Sequence, residues 1–267
     1  MCLPNVDMSI IVNIMDPVSN TIGIDKVNMD GKLILIEEQH ESNANFLLNS
    51  IICNALNKNY EICFVLCHNT FNHYHNMGKK FGYNLSSLKE KGKVTVIEPM
   101  KVIASDVNFM HTQTSNKILL DVLLNIKMEY ESMTRNGAPV VLLVDDISNF
   151  YNLGFDLKEY LYFIRFCRSL IKDYSRSYLC VVMHTYKHTS QSCISTTFTQ
   201  VLKHMAQLFI VTEPLETGHS SRASGKIAIH WRIDSVRIKY NWPEIARYIY
   251  KLSDHHVDIY APGTMTH

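Results

Sequence analysis

The sequence predicts an α/β domain: a mainly parallel sheet with helices on both faces and an antiparallel extension at its C-terminal end. Three observations lead there. From Lys32 to Thr212, short and continuously apolar runs alternate with helical patterns. Runs without inside–outside alternation are strands buried on both faces, as crossover helices make them in parallel sheets. Beyond Glu213 the segments become short and alternating, with turns between them, which is the signature of antiparallel pairing.

Taken in order, Lys32–Glu37 reads as the first buried strand, and Asn43–Leu56 as an amphipathic helix with Phe46, Leu47, Ile51 and Ala55 on one side. Ile62–Cys67 is the second strand. Asn72–Phe81 and Ser86–Glu90 are short helices, stopped by Gly82 and Gly92. Val94–Glu98 is the third strand, ended by Pro99, and Lys101–Ser115 is polar and aperiodic, hence a loop. Asn116–Met133 is a long helix closed by Asn136-Gly137, and Val140–Asp145 is the clearest strand of the chain. Leu157–Asp173 follows as a helix, Leu179–His184 as a strand, Thr196–Ala206 as a helix and Leu208–Thr212 as a strand. Lys226–Arg232, Tyr248–Lys251 and His256–Tyr260 make the antiparallel extension.

With 267 residues, 46% of them hydrophobic, the chain can bury one substantial core. The pattern begins at Lys32, so residues 1–31 read as an N-terminal extension, 32–263 as the domain and 264–267 as a tail. Charged residues make up 19% and the net charge is +1, which excludes a disordered or globally basic protein; any nucleic-acid contact must use a local patch. The seven cysteines form no CxxC pair, and Cys53, Cys63, Cys67, Cys167 and Cys180 sit in apolar runs as small core residues. Met1–Ile14 has no basic segment leading into a long apolar stretch, and the apolar runs are strand-sized. A reduced intracellular protein with no membrane span is therefore expected.

The strand order is that of a nucleotide-binding α/β protein, but the first landmark is missing. In a P-loop protein the first strand runs into a Gly-rich turn ending in Lys and Ser or Thr, whose amides and ammonium hold the phosphates. Here it runs through Glu37, Glu38, Gln39, His40, Glu41 and Ser42 to Asn43, with no glycine, no lysine and three glutamates. Like charges about 4 Å apart repel by about 4 kcal/mol at an effective dielectric of about 20, so this turn opposes a triphosphate. The second landmark survives as a degenerate Walker B: Val140–Val144 followed by Asp145 and Asp146, the pattern that sets a Mg²⁺-coordinating acid at a strand end. The plainer reading of such acids is a helix cap or turn. The third landmark, Cys180–His184, ends in a polar residue before the loop Thr185–Ser192.

These features resemble a known family. Cys63–Leu66 followed by Phe71–Tyr74, then Gly78–Gly82, Val141–Ser148, Leu153-Gly154, the Phe163–Cys167 helix and the Val257–Gly263 tail are, in order and spacing, similar to the sixth subunit of the Elongator complex over roughly residues 32–263. The resemblance implies a RecA-like fold without a Walker A loop. It also implies assembly with Elongator proteins 4 and 5 into a six-membered ring. That ring serves the Elongator catalytic core in modifying the tRNA wobble uridine, and is associated with tRNA binding. A non-catalytic scaffold subunit without a cofactor is the expected function, in the cytoplasm and also the nucleus. The alternative is a divergent RecA-like ATPase holding nucleotide through Asp145.

For RNA contact the candidates are Lys187 and His188, in the loop that faces the ring centre in RecA-like proteins, and Arg222, Lys226 and Arg232 in a segment interleaved with Trp231, Tyr240 and Trp242. Their ordinary reading is a polar loop and a solvated sheet edge on which Lys and Arg discourage strand pairing. His68, His73, His75, Cys63 and Cys67 are zinc-type donors without a compact ligand spacing, and read as core and surface residues. The aromatic helix around Tyr160, Tyr162, Phe163 and Phe166 has apolar residues off its core face, which predicts a covering partner on one side.

Overall fold

The computed structural model describes residues 17–101, 115–135, 137–173, 176–186, 192–216, 218, 220–254 and 256–264. The elements are α1 (17–22), β1 (Leu33–Gln39), α2 (Asn45–Asn57), β2 (Glu61–Leu66), α3 (Phe71–Lys80), α4 (Leu85–Glu90) and β3 (Val94–Ile97). They continue with α5 (Ser115–Thr134), β4 (Val140–Asp145), a 3₁₀ turn at Ile147–Leu153, α6 (Leu157–Asp173), β5 (Tyr178–Thr185), α7 (Ser192–Met205) and β6 (Leu208–Glu213). β7 (Gly225–Trp231), α8 (Asp234–Tyr240), β8 (Ala246–Leu252) and β9 (Val257–Tyr260) complete the chain.

All nine strands join one sheet in the order β3-β2-β4-β5-β1-β6-β7-β8-β9. β1 through β6 pair in parallel, and β6-β7-β8-β9 are antiparallel neighbours. Period-two geometry divides each central strand between two cores. Ile34 and Ile36 of β1, Phe64 of β2 and Leu143 of β4 face α1–α4, while Leu33, Leu35, Val65 and Leu142 face α5–α7. Both faces are covered, which is why these strands read as unbroken apolar runs.

Two features depart from the sequence reading. The core extends N-terminally of Lys32: Val18, Ile22, Ile24, Val27 and Met29 are buried among the residues of the first core. Gly23 makes this possible, since it has φ +83° and any Cβ there would stand 2.2 Å from the Trp242 ring, and the Trp231 indole N–H donates to the Ile22 carbonyl at 2.8 Å. α8 and the 3₁₀ turn after β4 are additions to the expected elements. The segment expected as a loop at Lys101–Ser115 falls at 102–114 outside the described residues.

Truncating Ile22, fully buried beneath β7, tests whether residues 17–29 belong to the domain. Ile22→Ala is expected to lower the unfolding free energy by about 2–4 kcal/mol in a denaturant titration. An unchanged midpoint would make this segment an accessory strap.

Candidate functional site

The carboxyl ends of β1, β4 and β5 meet in a polar cavity of about 300 Å³. Its walls include Glu38, His68, Asn69, Asp145, Asp146, Asn149, His184 and Tyr186. This is where open α/β sheets place ligands. No Lys or Arg lines it among the described residues.

The turn leaving β1 is closed by its own chain. Glu38 accepts a hydrogen bond from the Ala44 amide at the entry of α2 through Oε2 (3.3 Å), and its Oε1 lies 3.7 Å from His184 Nδ1. Asn43 Oδ1 accepts from the Asn45 amide at 2.9 Å, and Ser42 Oγ lies 2.8 Å from Thr212 Oγ1 of β6. Amides at a helix entry are anion-binding groups; here a carboxylate and a carboxamide of the same turn take them. Glu41 adopts φ 67°, a left-handed conformation usually left to glycine. The three glutamates do not act as one repulsive cluster. Glu37 faces the opposite side of β1, where Lys203 pairs with it at 2.9 Å and Thr185 Oγ1 donates to it at 3.1 Å. Only Glu41 is exposed.

The two acids after β4 have separate roles. Asp146 is buried and caps the 3₁₀ turn: it accepts from the Ser148 amide (3.0 Å) and Oγ (2.7 Å), and from the His184 amide of β5 at 3.1 Å. That is the turn-residue reading of a strand-end acid. Asp145 is also buried and accepts from the hydroxyl of Tyr74, a fully buried ring packed against Phe64. Burial, reinforced by the Asp146 charge and offset in part by Tyr74, lifts the Asp145 carboxyl from 3.8 to about 7. Asp146 is raised as well, by burial, with the Ser148 bonds opposing. For His184, burial pulls the pKa down, but the Glu38 hydrogen bond and the Glu38 and Asp146 charges outweigh it and raise it. His40, His184 and Tyr186 form a ring cluster at the mouth, with centroids 4.6–5.8 Å apart.

The RNA candidates separate in space. Lys187 and His188 lie outside the described residues. Arg222 is exposed ahead of β7, and Lys226 is paired with Glu216 at 2.7 Å. Arg232 lines a groove of about 600 Å³ together with Lys203, His204, Arg237 and Arg247, over the open face of β6–β8. The basic sequence segment 222–251 contains Arg232, Arg237 and Arg247 of this group, with Arg232 its RNA candidate. Lys203 comes from α7 and Arg247 from β8, and only the fold brings them together. The zinc-type donors stay apart: Cys63 and Cys67 are in the core beneath α5 and α6, and His73 and His75 are on α3. Among the described residues no three His, Cys, Asp or Glu side chains gather as a metal site.

A pH titration tests the assignment of Asp145. The folded chain holds this proton to about pH 7, whereas the unfolded chain releases it near 3.8. The raised pKa therefore costs nothing below pH 4, removes stability as pH rises from 4 to 7, and is constant above. Asp145→Asn, which still accepts from Tyr74, should gain on the wild type across that window by up to about 4 kcal/mol. Parallel stability curves from pH 4 to 8 would contradict it.

Comparison with known proteins bears on both sheet and site. Solved structures with the same architecture include a KaiC-like protein of Pyrococcus horikoshii (TM-score 0.55, 13% identity, 86% of this chain and 90% of that one). An uncharacterized protein of the same archaeon, in complex with an unknown peptide, gives TM-score 0.62 at 11% identity over 97% and 100% of the two chains. At such identities they establish the RecA-like fold alone. Elongator complex protein 6 of Xenopus laevis is 27% identical over 247 residues, covering 87% of this chain and 91% of that protein. The human protein of that name is 27% identical over 246 residues with the same coverages, and the Drosophila melanogaster one 25% over 90% and 94%. The model of the Elongation complex protein 6 family matches residues 19–254, a span that takes in most of the N-terminal core segment, the closed turn, both strand-end acids and the Arg232 groove. The chain belongs to the Elongation complex protein 6 family, and its function is Elongator-related.

Proposed function

We propose that the chain is a non-catalytic RecA-like subunit. In this reading it assembles with Elongator proteins 4 and 5 into a six-membered accessory ring, which supports wobble-uridine modification of tRNA by the Elongator catalytic core. The observation that carries the non-catalytic part is the Glu38 carboxylate on the Ala44 amide. A phosphate at this position would have to displace the Glu38 carboxylate and then sit beside it. With no Lys or Arg among the described cavity residues, nothing there compensates. The rival reading, nucleotide held through Asp145, needs an ionised and accessible Asp145; the residue is 4% exposed and bound by Tyr74.

The groove around Arg232 supports a contribution to tRNA binding. Its four cations, Lys203, Arg232, Arg237 and Arg247, are matched by four acids, Glu37, Glu213, Asp234 and Glu244, and two of the cations are paired, Lys203 with Glu37 and Arg237 with Asp234. Arg232 and Arg247 remain to meet phosphates, and phosphate contacts position RNA without reading its sequence. Arg232 also donates to the Lys203 carbonyl, which anchors it at the groove edge.

Two measurements on the reconstituted ring test this reading. Asp145→Ala in this subunit should leave ATP turnover by the ring unchanged; a drop of tenfold or more would assign nucleotide chemistry to it. Arg232→Glu with Arg247→Glu should weaken tRNA binding and reduce its salt slope by about one unit for each phosphate that is no longer neutralised. Equal affinity and equal slope would remove the groove as the RNA-binding surface and move attention to Lys187 and His188.

A further inference from the structure

Four of the large apolar side chains that the described residues expose lie on one surface. Leu120, Leu124 and Met128 are 51%, 48% and 66% exposed, and Tyr162 is 56% exposed. The first three recur every four residues along the solvent side of α5, opposite the stripe of Ile118, Val122 and Ile126 that packs on the sheet. At 1.5 Å per residue they form a ridge about 12 Å long. Leu120 and Tyr162 border a groove of about 770 Å³ between α5 and the start of α6. Glu159 lines the same groove, as do Asp156, Lys158 and Arg165, and neither cation forms an ion pair with Glu159. It is 7% exposed; its Oε2 accepts from the Asp156 amide at 2.8 Å, while its Oε1 is buried without a partner. A buried acceptor left unsatisfied costs about 1–3 kcal/mol, and more when charged.

We infer that the α5–α6 face receives an amphipathic helix of a different protein chain, which lays aliphatic side chains along the Leu120–Leu124–Met128 ridge and delivers one Lys or Arg to Glu159. A helical surface presents no free backbone edge, so strand addition is excluded and helix-in-groove packing remains. A second copy of this chain could offer only its own Lys158 or Arg165 to Glu159, and is told apart from a different chain by the crosslink below. The inference rests on the reading that the chain works as a subunit of an assembly, and deepens it by naming the surface and the chemistry of the partner.

The test uses the intact complex purified through the full-length chain, with Met128→p-benzoylphenylalanine as photo-crosslinker and Ile238→p-benzoylphenylalanine (an 80%-exposed position on α8) as control. Irradiation at position 128 should give one dominant crosslink to a helical segment of another chain, with apolar residues three or four apart and a Lys or Arg on the same face. Leu124→Glu and Glu159→Gln should each weaken retention of that chain tenfold or more, with the melting temperature of the isolated protein not lowered, while Ile238→Glu should retain it fully. Crosslinks only to a second copy, only to lipid, or only to an acidic or extended segment overturn the inference. So does a Leu124→Glu chain retained like the wild type, and that result leaves the subunit reading intact. A wild-type chain that co-purifies with no other protein overturns both.

Discussion

β1 is hydrogen-bonded along both edges, to β5 and to β6, and this double pairing sets what its exit turn can do. A strand in mid-sheet delivers its last side chains alternately to the two faces. Glu37 therefore goes to one side, where Lys203 and Thr185 meet it, and Glu38 to the other, where α2 begins. In a phosphate-binding protein the corresponding turn widens into a glycine-lined cradle. Here Glu41 takes the left-handed backbone conformation, Ser42 is tied to β6, and Glu38 folds back onto the Ala44 amide. The positive end of α2 is thus satisfied by an acid already attached to the chain, a favourable placement worth about 0.3–1 kcal/mol beyond the hydrogen bond itself. The fold keeps the architecture of a nucleotide site while the site's anion is internal.

The acids after β4 follow from the same arrangement. Asp146 serves as a cap that ties the 3₁₀ turn to β5, and Asp145 is a buried group whose proton is retained because both burial and Asp146 disfavour its charge. A Walker B pattern can persist for such reasons: a strand buried on both faces needs a polar stop, and an acid at its end finds Tyr74 and Ser148 within reach. The persistence of this pattern is consequently weak grounds for assigning metal chemistry.

The sheet was legible in the sequence because double burial leaves a continuous apolar record, and Val140–Asp145 matches its strand residue for residue. The elements that escaped lack such a record. α8 has no buried residue, and its Ser235, Arg237 and Lys239 break any apolar stripe. α1 offers only Val18 and Ile22 over a single turn, and what holds it is tertiary: the Trp231 indole N–H and the Trp242 ring beside Gly23. The absence of a phosphate loop could be read from residue types alone. Its physical cause could not, since Glu38 and Ala44 are joined across a turn whose geometry no local motif encodes. The Arg232 groove was legible only in its Arg232, Arg237 and Arg247 side, since Lys203 reaches it from α7.

The central claim is that the anion position at the start of α2 is already filled by Glu38. The most direct measurement is an NMR titration of the isolated protein with Mg-ATP, following the Ala44 and Asn45 backbone amides. The account predicts that neither resonance shifts in a saturable way up to millimolar ATP. A saturable shift of both amides with a micromolar midpoint would contradict it, because the nucleotide would then hold the place assigned to Glu38.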